Sequence, residues 1–223
     1  MQNKKLFVTI LFCVIEAILY YFILTAGGEV QRYCSFISVL LCFLFSLLMG
    51  RRQQSLIVAG LACTMGADFC LVLCTPIEQL AGMAFFLGAQ IHYAALLYKR
   101  KNSVPLLWVR IGLCVLIVTI AAFVLKDKLD ALAIISVAYY ANLIMNIVVA
   151  FTQWRKCKLL PIAFVLFLLC DTVIGLQVAS GGYLPISEGS WLYTLLFMPF
   201  NLSWFFYLPS QVLIALSSAQ KGE

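Results

Sequence analysis

The stretch of sequence that decides the fold runs from Ser55 to Thr75 and reads SLIVAGLACTMGADFCLVLCT. It is long enough to cross a bilayer as a helix, and Asp68 is its only charged residue. A charge in hydrocarbon costs roughly 2.5–3.5 kcal/mol on insertion scales. Asp68 is therefore either a functional group inside the membrane or a carboxyl group that hydrogen-bonds one helix to its neighbour.

Composition predicts an all-α integral membrane protein. The chain has 223 residues, of which 64% are hydrophobic and 11% charged, whereas a soluble domain carries about a quarter charged residues. We expect short connections, one domain over residues 1–223, and a bundle of eight transmembrane helices of roughly 20 residues each. The predicted spans are 6–26, 33–49, 55–75, 79–98, 104–125, 130–152, 159–179 and 191–216.

Charge predicts the orientation of this bundle. The predicted spans leave only Arg32, Lys126 and Lys128 on one side of the membrane. Most basic residues fall on the opposite side: Lys4, Lys5, Arg51, Arg52, Lys99, Arg100, Lys101, Arg155, Lys156, Lys158 and Lys221. The positive-inside rule then places both termini in the cytoplasm, which requires an even number of spans. The net charge of +6 is thus a topology signal, and no nucleic-acid partner is predicted.

Few charges lie within the predicted spans. Arg110 lies about two turns from the cytoplasmic end of its span, so we expect it to extend to the lipid headgroups. Glu16 is near the middle of the first span, where it could line a cavity or bond a neighbouring helix. The nine cysteines are scattered and the chain has one histidine, so no metal site is predicted.

Asp68 and Asp171 lie on spans predicted to run outward, each about a dozen residues from the cytoplasmic end. At 1.5 Å per residue, the two carboxyl groups have similar depth. Tyr140, Asn142 and Asn201 come to nearly the same layer. A polar layer supplied by several helices indicates an internal cavity, although equal depth alone does not establish contact.

A faint repeat links the two halves of the chain. Residues 87–94 read LGAQIHYA and residues 208–215 read LPSQVLIA, and each aspartate lies on the third span of its half. A parallel duplication of residues 1–102 and 103–223 would place the aspartates around a pseudo-twofold axis. The alternative is a chance match between two apolar segments.

Four short elements carry a resemblance to a known family. They are GLACTMGAD at residues 60–68, Phe86 with Gln90 and Tyr93, CD at residues 170–171, and SQVLI at residues 210–214. This pattern resembles the YhhN family, the bacterial relatives of the animal transmembrane lysoplasmalogenases. Gln90 stands where that family has a histidine. His92 is turned about 200° around the helix from that position, so we expect it to be a satisfied or interfacial residue.

The resemblance implies hydrolysis of the vinyl ether bond of lysoplasmalogens in a bacterial cytoplasmic membrane, with a lipid substrate and no cofactor. Vinyl ethers are cleaved by protonation at carbon, which leaves an oxocarbenium ion that water captures. The two-carboxylate glycosidases solve a similar problem with one acid and one carboxylate. Asp68 and Asp171 are therefore the predicted catalytic pair. The predicted supporting or substrate-binding residues are Gln90, Tyr93, Asn142, Tyr140, Asn201, Gln211, Glu16 and Arg32.

Several alternatives stay open at the level of sequence. Arg32, at the outer end of the second span, could meet a lipid phosphate or could be an ordinary interfacial anchor. Buried carboxylates at matched depth are also typical of proton-coupled transporters. A third possibility is a protein that binds lipid without hydrolysing it.

Overall fold

The protein is an all-helical membrane bundle. A computed structural model describes residues 2–51, 54–101, 104–125, 130–155, 157–180 and 186–220, and these residues contain helices and no strand. The helices are α1 (Gln2–Thr25), α2 (Gly28–Met49), α3 (Ser55–Asp68), α4 (Gln79–Lys101), α5 (Val104–Leu125), α6 (Ala131–Phe151), α7 (Leu159–Ser180), α8 (Trp191–Leu196) and α9 (Leu202–Ala219). A π-helical turn, Phe69–Leu73, continues α3.

Within the described ranges, seven helical segments are long and apolar enough to cross a membrane. They correspond to α1, α2, α3 with its π-helical turn, α4, α6, α7 and α9. In α5 the qualifying apolar stretch, Pro105–Ile120, is shorter. The predicted polytopic all-α bundle is confirmed, and its count of eight spans is approximate.

The last predicted span is not one helix. The structure replaces the expected 191–216 helix with short α8, an irregular segment and α9. Pro199 cannot donate a backbone hydrogen bond, and the Asn201 side chain caps α9 by accepting from the Trp204 N–H at 3.2 Å. These residues end one helix and begin the next, so the prediction of a continuous span is wrong.

Hydrogen bonds identify which helix ends lie together. At one end, Arg32 at the start of α2 donates to the final turn after α3, and Tyr20 on α1 donates to the carbonyl of Phe205 on α9 at 2.9 Å. At the opposite end, Gln153 on α6 donates to the carbonyl of Leu97 on α4 at 2.9 Å. We call the end at Arg32 and Tyr20 the outer end and the end at Gln153 the inner end, because the charge distribution predicts that the inner end faces the cytoplasm. That orientation stays a prediction.

Helix packing follows the same order in both halves of the chain. Helices α1, α2, α3 and α4 pack in sequence, as do α5, α6, α7 and α9. Across the halves, α4 packs against α6 and α2 packs against α9. A duplication into 1–102 and 103–223 would require the same packing order in both halves. The duplication itself stays a prediction.

One glycine permits a close contact between two helices near the core. A Cβ atom at Gly60 on α3 would lie 2.2 Å from Cε1 of the Tyr93 ring on α4. Tyr93 is fully buried, and its ring also contacts Phe164 on α7, with centroids 5.4 Å apart. Gly60 thus lets α3 and α4 approach, which fixes the position of α3 and of the aspartate at its end.

Candidate functional site

The structure brings Asp68 and Asp171 into one interior cluster. The Tyr207 hydroxyl on α9 donates to Oδ2 of Asp68 at 2.6 Å, and Asp68 is only 3% exposed. The Tyr139 hydroxyl on α6 donates to Oδ2 of Asp171, which is half-buried on α7. The two donor tyrosines contact the same ring, Phe167, whose centroid lies 6.3 Å from that of Tyr139 and 5.4 Å from that of Tyr207. Helices distant in sequence therefore supply two carboxyl groups and a phenol donor for each.

Aromatic rings enclose these carboxyl groups. Phe86 lies 5.8 Å from Tyr139, 5.7 Å from Phe167 and 6.3 Å from Tyr207, measured between ring centroids. Phe167 is also 5.4 Å from Tyr207. All four rings are buried and each comes from a different helix. With the two aspartates they form what we call the aspartate cluster. Water is largely excluded there, so charge interactions are stronger than at a surface.

Local backbone geometry positions Asp68. The α-helical pattern ends at this residue and the next turn is π-helical, with the Cys74 N–H donating to the Phe69 carbonyl at 3.0 Å. Single π-helical turns within α-helices frequently occur at functional sites. Asp68 thus lies where α3 changes its winding.

Arg32 stabilises the end of this π-helical turn. Its guanidinium donates to the carbonyls of Val72 and Leu73 at 2.5 Å each, and to Oγ1 of Thr75 at 3.1 Å. A further bond joins it to Glu29 at 3.1 Å. Carbonyls at a helix end need donors from outside the helix. The guanidinium therefore serves the fold, which supports the anchor interpretation over phosphate binding.

Tyr140 lies beside the aspartate cluster. Its ring contacts that of Tyr139, with centroids 5.7 Å apart. Its hydroxyl approaches α7, because a Cβ atom at Gly175 would lie 3.3 Å from it. Gly175 is one helical turn beyond Asp171, so Tyr140 forms part of the wall on the outer side.

Arg110 is buried, which contradicts the expectation that it extends to the headgroups. Its Nε donates to Oδ1 of Asn142 at 3.0 Å and its Nη1 to Oδ1 of Asn146 at 2.8 Å. The guanidinium also lies 5.7 Å from the centroid of the Tyr98 ring. Asn142 and Asn146 are one turn apart on α6, so one face of that helix offers two acceptors to the cation. The snorkelling prediction is wrong for this reason.

The amide of Gln90 belongs to the same network. Nδ2 of Asn146 donates to Oε1 of Gln90 at 2.8 Å and to its backbone carbonyl at 2.9 Å. We call Arg110, Asn142, Asn146 and Gln90 the Arg110 network. Gln90 is fully buried and its Nε2 has no hydrogen-bond partner in the described part of the chain. An unpaired buried donor of this kind is free to bind a polar ligand.

Gln211 presents a second buried amide at a similar depth. It is fully buried, and neither its Nε2 nor its Oε1 has a partner among the described residues. Gln211 follows Tyr207 by one turn of α9, just as Gln90 follows Phe86 by one turn of α4. Both amides therefore lie one turn to the inner side of the aspartate cluster. Leaving such groups unsatisfied costs about 1–3 kcal/mol each.

Glu16 has the same relation to α2 that Arg110 has to α6. Its carboxylate accepts from the Ser38 hydroxyl and from the Cys42 thiol, the latter at 3.7 Å. Ser38 precedes Asn142 by 104 residues, and Cys42 precedes Asn146 by the same number, so the two pairs occupy corresponding positions in the two halves of the chain. Glu16 also borders a pocket of about 200 Å³ between α1 and α9. Both predicted interpretations of Glu16, a cavity wall and a bond to a neighbouring helix, describe its surroundings.

A family model covers most of this architecture. The model of the YhhN family matches residues 30–218 of the 223. The chain belongs to the YhhN family. The match includes both aspartates and both tyrosines of the aspartate cluster. Searches of the curated proteins and of the solved structures find no match.

Two predicted site residues of this YhhN chain lie away from the aspartate cluster. Asn201 is exposed at the start of α9, six residues or about 9 Å along the chain from Tyr207. The prediction that it shares the layer of the aspartates is wrong, because α9 begins later than expected. Tyr93 is packed between Gly60 and Phe164, where it joins helices.

The single histidine has a local partner. Nδ1 of His92 donates to the carbonyl of Gly88 at 2.8 Å, one turn earlier in α4. This bond agrees with the expectation of a satisfied histidine. The position that carries histidine in the family pattern is occupied by Gln90, whose oxygen accepts from Asn146.

Proposed function

We propose that this protein is a membrane-embedded hydrolase that cleaves the vinyl ether bond of lysoplasmalogens in a bacterial cytoplasmic membrane. The observation that carries the proposal is the aspartate cluster, in which Asp68 and Asp171 each accept a hydrogen bond from a tyrosine, and both tyrosines contact the Phe167 ring. YhhN family membership supports the same chemistry. The products would be a fatty aldehyde and a glycerophospho-headgroup.

The reaction begins with one carboxyl group protonated and the other ionised. The acid transfers its proton to the vinyl carbon beyond the ether-bearing carbon, and the π electrons form the new C–H bond. Positive charge then spreads over the ether carbon and oxygen. The second carboxylate stabilises this oxocarbenium ion, as in the glycosidases. Sharing one proton between two close carboxyl groups is an established way to keep one acid near neutral pH.

Water completes the cleavage. Its oxygen bonds to the cationic carbon while the second carboxylate accepts a proton, which gives a hemiacetal. The hemiacetal hydroxyl returns its proton to the first carboxylate, and the glycerol oxygen leaves with the proton held by the second. The pair ends with the single proton with which it began. No cofactor is part of this scheme.

The remaining residues have supporting roles in the proposal. Tyr139 and Tyr207 fix the carboxylates by hydrogen bonds, while the faces of Phe86 and Phe167 favour a cationic intermediate. The amide of Gln211, one turn to the inner side, would hold the attacking water. Gln90 would assist it, oriented by Asn146 of the Arg110 network.

Purified protein in lipid nanodiscs, given a lysoplasmalogen, tests the proposal through release of fatty aldehyde. We expect turnover in the wild type and in Asp130→Asn. The latter replaces an aspartate by asparagine at an exposed helix cap outside the aspartate cluster, where Asn functions as well as Asp. A proton-coupled transporter would instead release no aldehyde and would show proton-dependent uptake. A lipid-binding protein would show neither activity, and either outcome would overturn the proposal.

A further inference from the structure

A large pocket opens at the outer end of the bundle, next to the aspartate cluster. Its volume is about 680 Å³, and we call it the outer pocket. Its walls come from the α1–α2 connection, the last turns of α7, and the irregular segment between α8 and α9. Its lining includes Gly27, Ile174, Gln177, Asn201, Ser203 and Trp204.

The floor of the outer pocket lies one helical turn from the aspartate cluster. Ile174 follows Asp171 by three residues on α7, and Ser203 precedes Tyr207 by four residues on α9. The two helices run in opposite directions, so both displacements point toward the outer end. Trp204 lines the pocket and contacts the Tyr207 ring, with centroids 4.9 Å apart. A single layer of side chains therefore separates the pocket from the carboxyl groups.

The backbone at this pocket suits a polar occupant. Residues 197–201 leave the helical pattern, and all five line the pocket. The last residue of this segment, Asn201, lies about 9 Å from Tyr207 along the helix axis, a distance shorter than the hydrocarbon half-thickness of about 15 Å. Irregular backbone at membrane depth is tolerated where it is buried in protein or lines a water-filled cavity. The segment thus offers main-chain polar groups to a ligand.

Side chains hold the walls without adding charge. Nε2 of Gln177 donates to the Leu196 carbonyl at 2.7 Å, which ties α7 to α8. Nε2 of Gln31 donates to the Ile23 carbonyl at 3.0 Å, which ties α2 to α1. None of the described residues that line the pocket carries a charge. A ligand with a net charge would find no counter-ion there, so the pocket favours a polar group that is neutral overall.

We propose that the outer pocket binds the zwitterionic glycerophospho-headgroup of the substrate, in which a cationic amine balances the phosphate, so that the lipid is taken from the outer leaflet. This inference rests on the proposed hydrolase function. The glycerol backbone separates the ether oxygen from the phosphate by about the length of one helical turn, roughly 5.4 Å. A headgroup in the outer pocket therefore brings the vinyl ether bond to the depth of Asp68 and Asp171, with Trp204, whose ring lies between the pocket and Tyr207, beside the glycerol.

Gly27 allows the pocket to be filled without disturbing the fold. A Cβ atom there would have no heavy atom within 4 Å, and its φ of −121° suits any residue. We expect Gly27→Trp to raise the KM for a lysoplasmalogen by about tenfold or more, with a much smaller rise for a 1-alkenylglycerol that has no phosphate. The matched control is Gly189→Trp, which is equally open but does not line the pocket, and its KM should not change.

Binding can also be measured without turnover. A membrane-impermeant maleimide should label Gly27→Cys above the wild-type background when added from the outside, and a soluble zwitterionic glycerophosphodiester should slow the labelling. An anionic glycerophosphodiester should protect much less. An unchanged KM in Gly27→Trp, an equal rise for both substrates, or labelling without protection would each overturn the inference. If wild-type protein released no aldehyde but protection persisted, the hydrolase proposal would fail while the headgroup pocket would stand.

Discussion

The hydroxyl of Tyr207 provides the sharpest test of how the aspartate cluster is held together. It donates to Oδ2 of Asp68 at 2.6 Å in a buried environment. Tyr207→Phe removes this donor but keeps the ring, whose contacts with Phe167 and Trp204 depend only on the aromatic face and edge. The substitution therefore changes one hydrogen bond and almost no packing.

The size of the effect follows from the type of bond. A hydrogen bond to a charged group contributes about 1.5–3 kcal/mol, and each 1.36 kcal/mol changes a rate by tenfold. We therefore expect Tyr207→Phe to lower kcat by roughly 10- to 100-fold, measured as initial aldehyde release in nanodiscs. The thermal unfolding midpoint should fall by only a few degrees, because a single bond is lost.

Tyr98→Phe is the matched control for this prediction. It also removes a phenol donor, here the half-buried bond from Tyr98 to the Leu106 carbonyl at 3.2 Å near the inner end. We expect its kcat to stay close to that of the wild type. If Tyr207→Phe were as active as Tyr98→Phe, the Tyr207–Asp68 bond would have no part in catalysis and the reasoning would be refuted.

Three further predictions concern water, packing and topology. Gln211→Leu should slow the capture of the oxocarbenium ion by water and let the ion revert to substrate, so that assays in D₂O place deuterium in the vinyl group of unreacted substrate. Wild-type turnover without such exchange would show that Gln211 does not hold the water. Gly60→Ala should destabilise the fold by about 1–3 kcal/mol through overlap with the Tyr93 ring, and an unchanged thermal unfolding midpoint would contradict that contact. Cysteine accessibility should place Glu188 outside and Arg155 inside, whereas finding both on one side would overturn the predicted orientation.

The helical membrane fold could be predicted because its signals are averages over many residues. Hydropathy over about 20 residues does not depend on any single contact. The same averaging concealed the break between α8 and α9, since Leu195, Phe197 and Phe200 keep the mean apolar. Pro199 and Asn201 were the visible local signals, and their turn and capping preferences prevailed over the apolar composition.

The candidate site could be predicted only in part. Asp68 and Asp171 stand out because charges inside apolar segments are rare, and counting residues gives their depth. Their partners Tyr139 and Tyr207 could not be selected, since an amphipathic ring occurs both in cores and at lipid interfaces. To choose among the tyrosines, one must know which face of each helix points into the bundle. The sequence does not reveal this, because the helices are hydrophobic on nearly every face.

The position of Arg110 could not be predicted from its depth in the membrane alone, because its partners on the neighbouring helix were unknown. Its distance from the helix end favoured contact with headgroups, but Asn142 and Asn146 offer two closer acceptors on α6. Arg32 illustrates the same limit, because its partners are carbonyls freed at the end of a π-helical turn. Backbone irregularity of that kind has no clear sequence signal.

Aldehyde release by the asparagine variants of the two aspartates tests the central claim most directly. Asn keeps the size and hydrogen-bonding capacity of Asp but cannot donate a proton as an acid. Asp68→Asn and Asp171→Asn should each lose turnover while still folding and binding lipid. The double variant should be scarcely worse than either single one, because groups that act as a unit are non-additive. Hydrolysis retained in Asp68→Asn would contradict the account.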